Sequence, residues 1–157
     1  WDGIVGLAPG VVLILMAASI KYIVAQGGIL DTILYSASRS ITEDTPFVAA
    51  LTVYALALAL DFFIGSGSAK AFLMMPILLP LADLVGVTRQ STILAYSFGE
   101  GLTNVIYPTN PVLLVALGLT VVSYSKWLKW SLRVWPLIVA ISLAFLGLAV
   151  AIGYGPF

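Results

Sequence analysis

The sequence predicts an all-α integral membrane fold in which one helical hairpin re-enters the bilayer and one transmembrane helix is broken at depth. Three observations carry that prediction. Hydrophobic residues make up 61% and charged residues 9% of the 157 positions, with a mean hydropathy of +1.11, whereas soluble domains run at roughly 45–50% apolar and about 25% charged. Apolar runs near both ends reach the ~20 residues a helix needs to cross a ~30 Å hydrocarbon core. Between them, FGEGLTNVIYPTNPVLLVAL (98–117) sets Glu100, Thr103, Asn104, Thr109 and Asn110 beside Pro108 and Pro111. Proline has no N–H to donate and biases the residue before it away from helical angles, so backbone groups around 105–110 are left unpaired. Lipid tolerates such groups only where they line a cavity or a site.

Composition also excludes. A net charge of zero argues against nucleic acid as a partner. With no Cys and no His there are no disulfides, thiol nucleophiles, Cys/His zinc sites or histidine relays, and no enzyme is expected. The chain opens at Trp1 with no signal-peptide pattern ahead of its first apolar run, so a fragment, or one partner of something larger, is expected.

In chain order, residues 1–27 read as a transmembrane helix, apolar on nearly every side at 4–25, with Lys21 snorkelling at one end and Gly27 and Gly28 as the stop. Residues 28–45 read as an interfacial amphipathic helix, with Ile29, Ile33, Leu34 and Ala37 on one face, followed by the polar linker TEDTP. Residues 46–85 read as the hairpin, with arms at 47–63 and 71–84 and its tip at 65–70 (GSGSAK). The second arm, at 14 residues, is under spanning length, and Pro76 with Pro80 would kink a true span. An exposed Gly/Ser turn between two ordinary spans is the alternative.

Residues 86–122 form the broken helix, with Asn110 as cap and Pro111 at the first helical position after the break. Residues 123–133 (SYSKWLKWSLR) carry three basic residues, two tryptophans and no acid, a cytoplasmic interfacial belt, and 134–157 holds the last span. With that belt in the cytoplasm, the hairpin enters from the periplasmic side. The protein is thereby placed in the cell's inner (plasma) membrane as a multi-pass chain.

A hairpin tip meeting a broken helix brings together two helix N-termini, after Ser68 and Asn110, and two C-termini, near Phe63 and Asn104. The first suit a carboxylate and the second a sodium ion. Ser66, Ser68, Thr103, Asn104, Thr109 and Asn110 add neutral ligands, or else serve as caps and interhelical hydrogen bonds. Glu100, one turn before Asn104, is a coupling proton site, a cation ligand or the partner of a basic substrate group, unless it pairs with Lys70. Lys70 contacts a substrate carboxylate, substitutes for a sodium charge or snorkels, and Asp61 caps or pairs locally.

The runs QGGILDTIL (26–34), GSGSAKAFLMMPILLPLADLVGVTRQ (65–90), FGEGLTNVIYPTNP (98–111), SYSKWLKW (123–130) and the ending IGYGPF resemble the anaerobic C4-dicarboxylate carrier family, its YfcC-like branch. The tip and the TNPV region are also similar to aminobenzoyl-glutamate transporters. Both belong to the ion transporter superfamily. The resemblance implies one inverted-repeat half, the C-terminal repeat, of an elevator-type transporter coupled to sodium or protons and carrying small carboxylates such as dicarboxylates, or amino acids. By the same resemblance, Ser66, Gly67 and Ser68 match the hairpin tip and Thr109 and Asn110 the break; with Lys70 added from the reading of the residues, these are the expected substrate-binding residues. The coupling ion is met by Ser66, Ser68, Glu100, Thr103, Asn104 and Asn110, with sodium at Ser68, Asn104 and Thr109 and no other cofactor. Lys70 departs from relatives that have Gln there.

The implied partners are the lipid bilayer, a small anionic or zwitterionic solute and the missing N-terminal repeat, on the same natural chain or a second subunit. A homodimer is implied when complete. Two other readings of the residues stay open: a non-transporting assembly subunit whose breaks serve packing, and a channel with a re-entrant loop.

Overall fold

The computed structural model describes residues 45–120 and 122–155, together with positions 12, 15, 19, 22, 23, 26–29, 32, 35 and 36. Most of the first predicted span, Lys21 included, and most of the interfacial helix lie outside the described residues. Five helices are bounded within 45–155: α1 (Pro46–Asp61), α2 (Gly67–Leu84), α3 (Arg89–Thr103), α4 (Pro111–Gly118) and α5 (Tyr124–Ala151). No strand occurs among the described residues.

Helix α1 starts at Pro46, whose missing N–H is no loss in a first turn, behind an extended Thr45. It is the centre of the packing and touches α2, α3 and α5, most extensively α3. Its buried positions, Ala49, Val53, Leu56, Ala57 and Leu60, recur at helical spacing. Small side chains bring α1 and α3 unusually close. A Cβ on Gly99 of α3 would stand 2.6 Å from the Tyr54 carbonyl oxygen and 2.7 Å from Ala57 Cβ, so the crossing requires glycine there. Tyr54 also reaches α5, its hydroxyl 3.2 Å from Ser142 Oγ.

Helix α2 starts earlier than the expected second arm of the hairpin. It begins at Gly67 and runs 18 residues with Pro76 and Pro80 inside it, ~27 Å at ~1.5 Å per residue, against the 14-residue arm expected from Ala71. Glycine, serine, alanine and lysine at 67–70 continue the helix because Lys70 is anchored from inside, which composition alone does not reveal. The tip contracts to the five positions between Asp61 and Gly67. Shortness of the second arm therefore gives no support to re-entry.

The α2–α3 turn is polar. Gly86 takes a left-handed φ of 72°, Thr88 accepts the Ser91 N–H as the α3 cap, and Arg89 grips Asp83 at 2.7 Å. Helix α3 ends at Thr103 and α4 starts at Pro111, with turns between. Beyond α4, which stops at Gly118 short of the expected 122, α5 runs unbroken for 28 residues, or ~42 Å. It is the one helix among the described residues long and apolar enough to cross a membrane. Its outer residues, Leu137, Phe145 and Leu148 among them, are exposed, as a lipid-facing helix requires.

Candidate site at the hairpin tip and helix break

Proline and asparagine build the break from local chemistry. Pro111 occupies the first helical position of α4, and Asn110 Oδ1 accepts the N–H groups of Val112 at 2.9 Å and Leu113 at 3.2 Å, as the Asn-Pro pair predicts. Asn110 Nδ2 donates to Asn104 Oδ1 at 2.7 Å, and Asn104 Nδ2 donates to the Glu100 carbonyl at 3.2 Å. One chain of amides thus ties the end of α3 to the start of α4.

The carbonyls freed by the break are met from outside it. Tyr124 donates its hydroxyl to the Ile106 carbonyl at 2.7 Å, Trp127 its indole N–H to Val105 at 2.8 Å, and Trp135 its own to Leu102 at 3.3 Å. Three aromatics of α5 brace the broken helix. Read in sequence, Trp127 belongs to an interfacial belt. Trp130 is well exposed, as are Lys126, Lys129 and Arg133, whereas Trp127 and Tyr124 turn toward the break. Aromatics three residues apart after a polar break were the available signal, and a belt has the same spacing.

The tip faces the break. Phe62 packs edge-on to Tyr107 with ring centroids 5.6 Å apart, Tyr107 donates to the Leu58 carbonyl at 3.1 Å, and a Cβ on Gly65 would lie 3.8 Å from the Thr109 carbonyl oxygen. Ser66 and Ser68 are exposed at the start of α2, their hydroxyl oxygens 3.4 Å apart. Thr109 and Asn104 are half-buried, and Asn110 is buried. Gly67 lies against Glu100, whose carboxylate occupies the space a Cβ would need. Glycine is required there to let the acid close on the tip.

Lys70 and Thr103 lie beneath this surface. Lys70 is fully buried, its ammonium paired with Asp61 Oδ1. Thr103, also fully buried, donates its hydroxyl to Asp61 Oδ2. The Lys70 Nζ sits 5.7 Å from the centroid of the Tyr96 ring, and Tyr96 donates to the Gly67 carbonyl at 2.7 Å. The Asp61 partnership is local across the tip, as expected for that residue. Lys70 does not pair with Glu100, and it is not a snorkelling lysine. With Lys70 committed to Asp61, no lysine or arginine pairs with Glu100 among the described residues. Asp61 in the last turn of one arm and Lys70 in the first turn of the next was the sequence signal for the pair.

The C4-dicarboxylate anaerobic carrier family model, DcuC, matches residues 1–153. The chain is 40% identical over 126 residues to the Escherichia coli (strain K12) protein named "Putative basic amino acid antiporter YfcC", covering 80% of this chain and 24% of that protein. It is 35% identical over 127 residues to an uncharacterized protein of Haemophilus influenzae (strain Rd), covering 81% of this chain and 23% of that protein. The chain therefore spans about a quarter of the length of the curated relatives it matches. No solved structure matches it.

Proposed function

The chain belongs to the C4-dicarboxylate anaerobic carrier family, and from that premise we propose that it is the C-terminal transport-domain half of a cation-coupled secondary transporter in the inner membrane. The observation that carries the proposal is the facing of the 62–66 tip and the 104–110 break, each with polar groups at a helix end. The start of α2 at Gly67 presents N–H groups suited to a solute carboxylate, whereas those of α4 are already taken by Asn110. Ser66, Gly67, Ser68, Thr109 and Asn110 would line that solute. Asn104 lies where a coupling ion would meet carbonyls of the break.

Glu100 sets the charge of the solute. Lys70 neutralises Asp61, so the acid left without a cation at this surface calls for a basic or zwitterionic group on the solute. An amino acid supplies both the ammonium for Glu100 and a carboxylate for the α2 N-terminus. A dicarboxylate would meet only the latter, and the E. coli relative's name points the same way. The reading needs no organic cofactor.

The remaining repeat would complete the site and the elevator movement. The outer face of α2, where Phe72 is 84% exposed, is open for it. In the full-length carrier in proteoliposomes, Ser68→Ala and Asn110→Ala should each lower uptake of labelled arginine and succinate, measured side by side, while membrane insertion is kept. Unchanged uptake of both solutes in both variants would sink the site assignment.

A further inference from the structure

A charge pair as deeply buried as Lys70 and Asp61 is a poor stabilising device. Removing two ions from water carries a large desolvation cost, and well-packed apolar residues of the same volume do as well or better. Lys70 is worse placed than most, because it stands in the first turn of α2, where the helix dipole opposes a cation. Its position is favourable only toward the last turn of α1, whose partial negative end and Asp61 carboxylate face it across the tip. Both carboxylate oxygens are taken, Oδ1 by the ammonium and Oδ2 by Thr103. The Tyr96 ring lies beside the same ammonium.

A carboxylate, a hydroxyl and a helix C-terminus are the groups that would hold a monovalent metal cation. Here an ammonium on a four-carbon stem fills that position. We infer that Lys70 is the resident cation of this half of the carrier, permanently occupying at Asp61 and Thr103 the place a sodium ion would otherwise take. The inference rests on the carrier reading for its purpose. It follows that no sodium binds at Asp61 in the native protein, and that any sodium coupling lies elsewhere. Charge at the base of the tip then stays constant through the cycle, so the hairpin is preassembled without an ion.

The test is thermal stability of the full-length carrier in nanodiscs, in sodium chloride against choline chloride at equal ionic strength. A ligand that binds only the folded state raises Tm by mass action. Lys70→Gln should gain a sodium-dependent rise of several degrees beyond any shown by the native protein. Lys70→Arg should gain none, and Asp61→Asn with Lys70→Gln should lose the gain because the ligand is gone. Equal sodium responses in the native protein and Lys70→Gln overturn the inference. So does a Lys70→Gln protein that is unfolded in both salts while the double variant folds, since sodium then cannot replace the ammonium. The readout needs no solute, so failure here leaves the transport reading intact, and failure of uptake leaves this inference intact.

Discussion

Two glycines on one helix should respond in opposite directions to the same substitution. Gly99 and Gly101 both lie inside α3, where glycine is ~0.8–1.0 kcal/mol less favourable than alanine. A Cβ on Gly101 meets nothing within 4 Å, so Gly101→Ala should stabilise by up to that ~1 kcal/mol. A Cβ on Gly99 would stand 2.6 Å from the Tyr54 carbonyl oxygen and 2.7 Å from Ala57 Cβ, where ordinary contact begins at 3.4 Å. The deficit is 3.4 − 2.6 = 0.8 Å, and neither neighbour is a flexible side-chain end that can swing aside. Helix α3 must move bodily off α1, which puts the cost toward the upper end of the ~1–3 kcal/mol of overpacking. After the propensity gain, Gly99→Ala should destabilise by about 1–2 kcal/mol.

The movement has a site consequence as well. Thr103 is one turn from Gly99 on the same face, so displacement of α3 lengthens its bond to Asp61. Denaturant-induced unfolding of the full-length protein in mixed micelles, followed for both variants beside the parent, measures the two shifts. Shifts of the same sign, or a Gly99→Ala protein as stable as Gly101→Ala, would refute the close α1–α3 crossing.

Two further outcomes rest on local geometry. Tyr124→Phe and Trp127→Phe each remove a donor from a break carbonyl and should cost about 1 kcal/mol apiece, with faster amide exchange at 104–110 as the specific sign of a loosened break; unaltered exchange would leave the braces without a role. At the polar α2–α3 turn, the hydrogen bond from Arg89 holds the Asp83 carboxyl below its ordinary 3.8. Its contribution is therefore complete above the unfolded-state value and lost as pH falls through the lower folded value. Asp83 titration by NMR should show the depressed value in the native protein and its return toward 3.8 in Arg89→Gln.

The break was legible because its causes are short-range. Pro108 and Pro111 lack donors and Asn110 caps the helix that restarts after it, so sequence placed the discontinuity at 105–110 and the structure ends α3 at Thr103 and restarts at Pro111. The all-helical character is equally local. Membership of the carrier family was legible too, from runs spread over nearly the whole chain, and the family match covers 1–153. The start of α2 was not. Residues 67–70 look like a Gly/Ser turn until Lys70 is seen anchored to Asp61.

What the sequence by itself determined, then, is where the backbone must leave the helix and which polar groups stand there. Those properties depend on neighbours in the chain, on missing N–H groups and on caps within three residues. Tertiary structure alone decided which partner each freed group meets: Lys70 to Asp61 rather than Glu100, the Val105 and Ile106 carbonyls to Trp127 and Tyr124, and Gly67 to the Glu100 carboxylate. In an apolar interior every such group must find a partner. Several partners are in reach along the sequence, and only the closing of α3 and α5 on α1 selects among them.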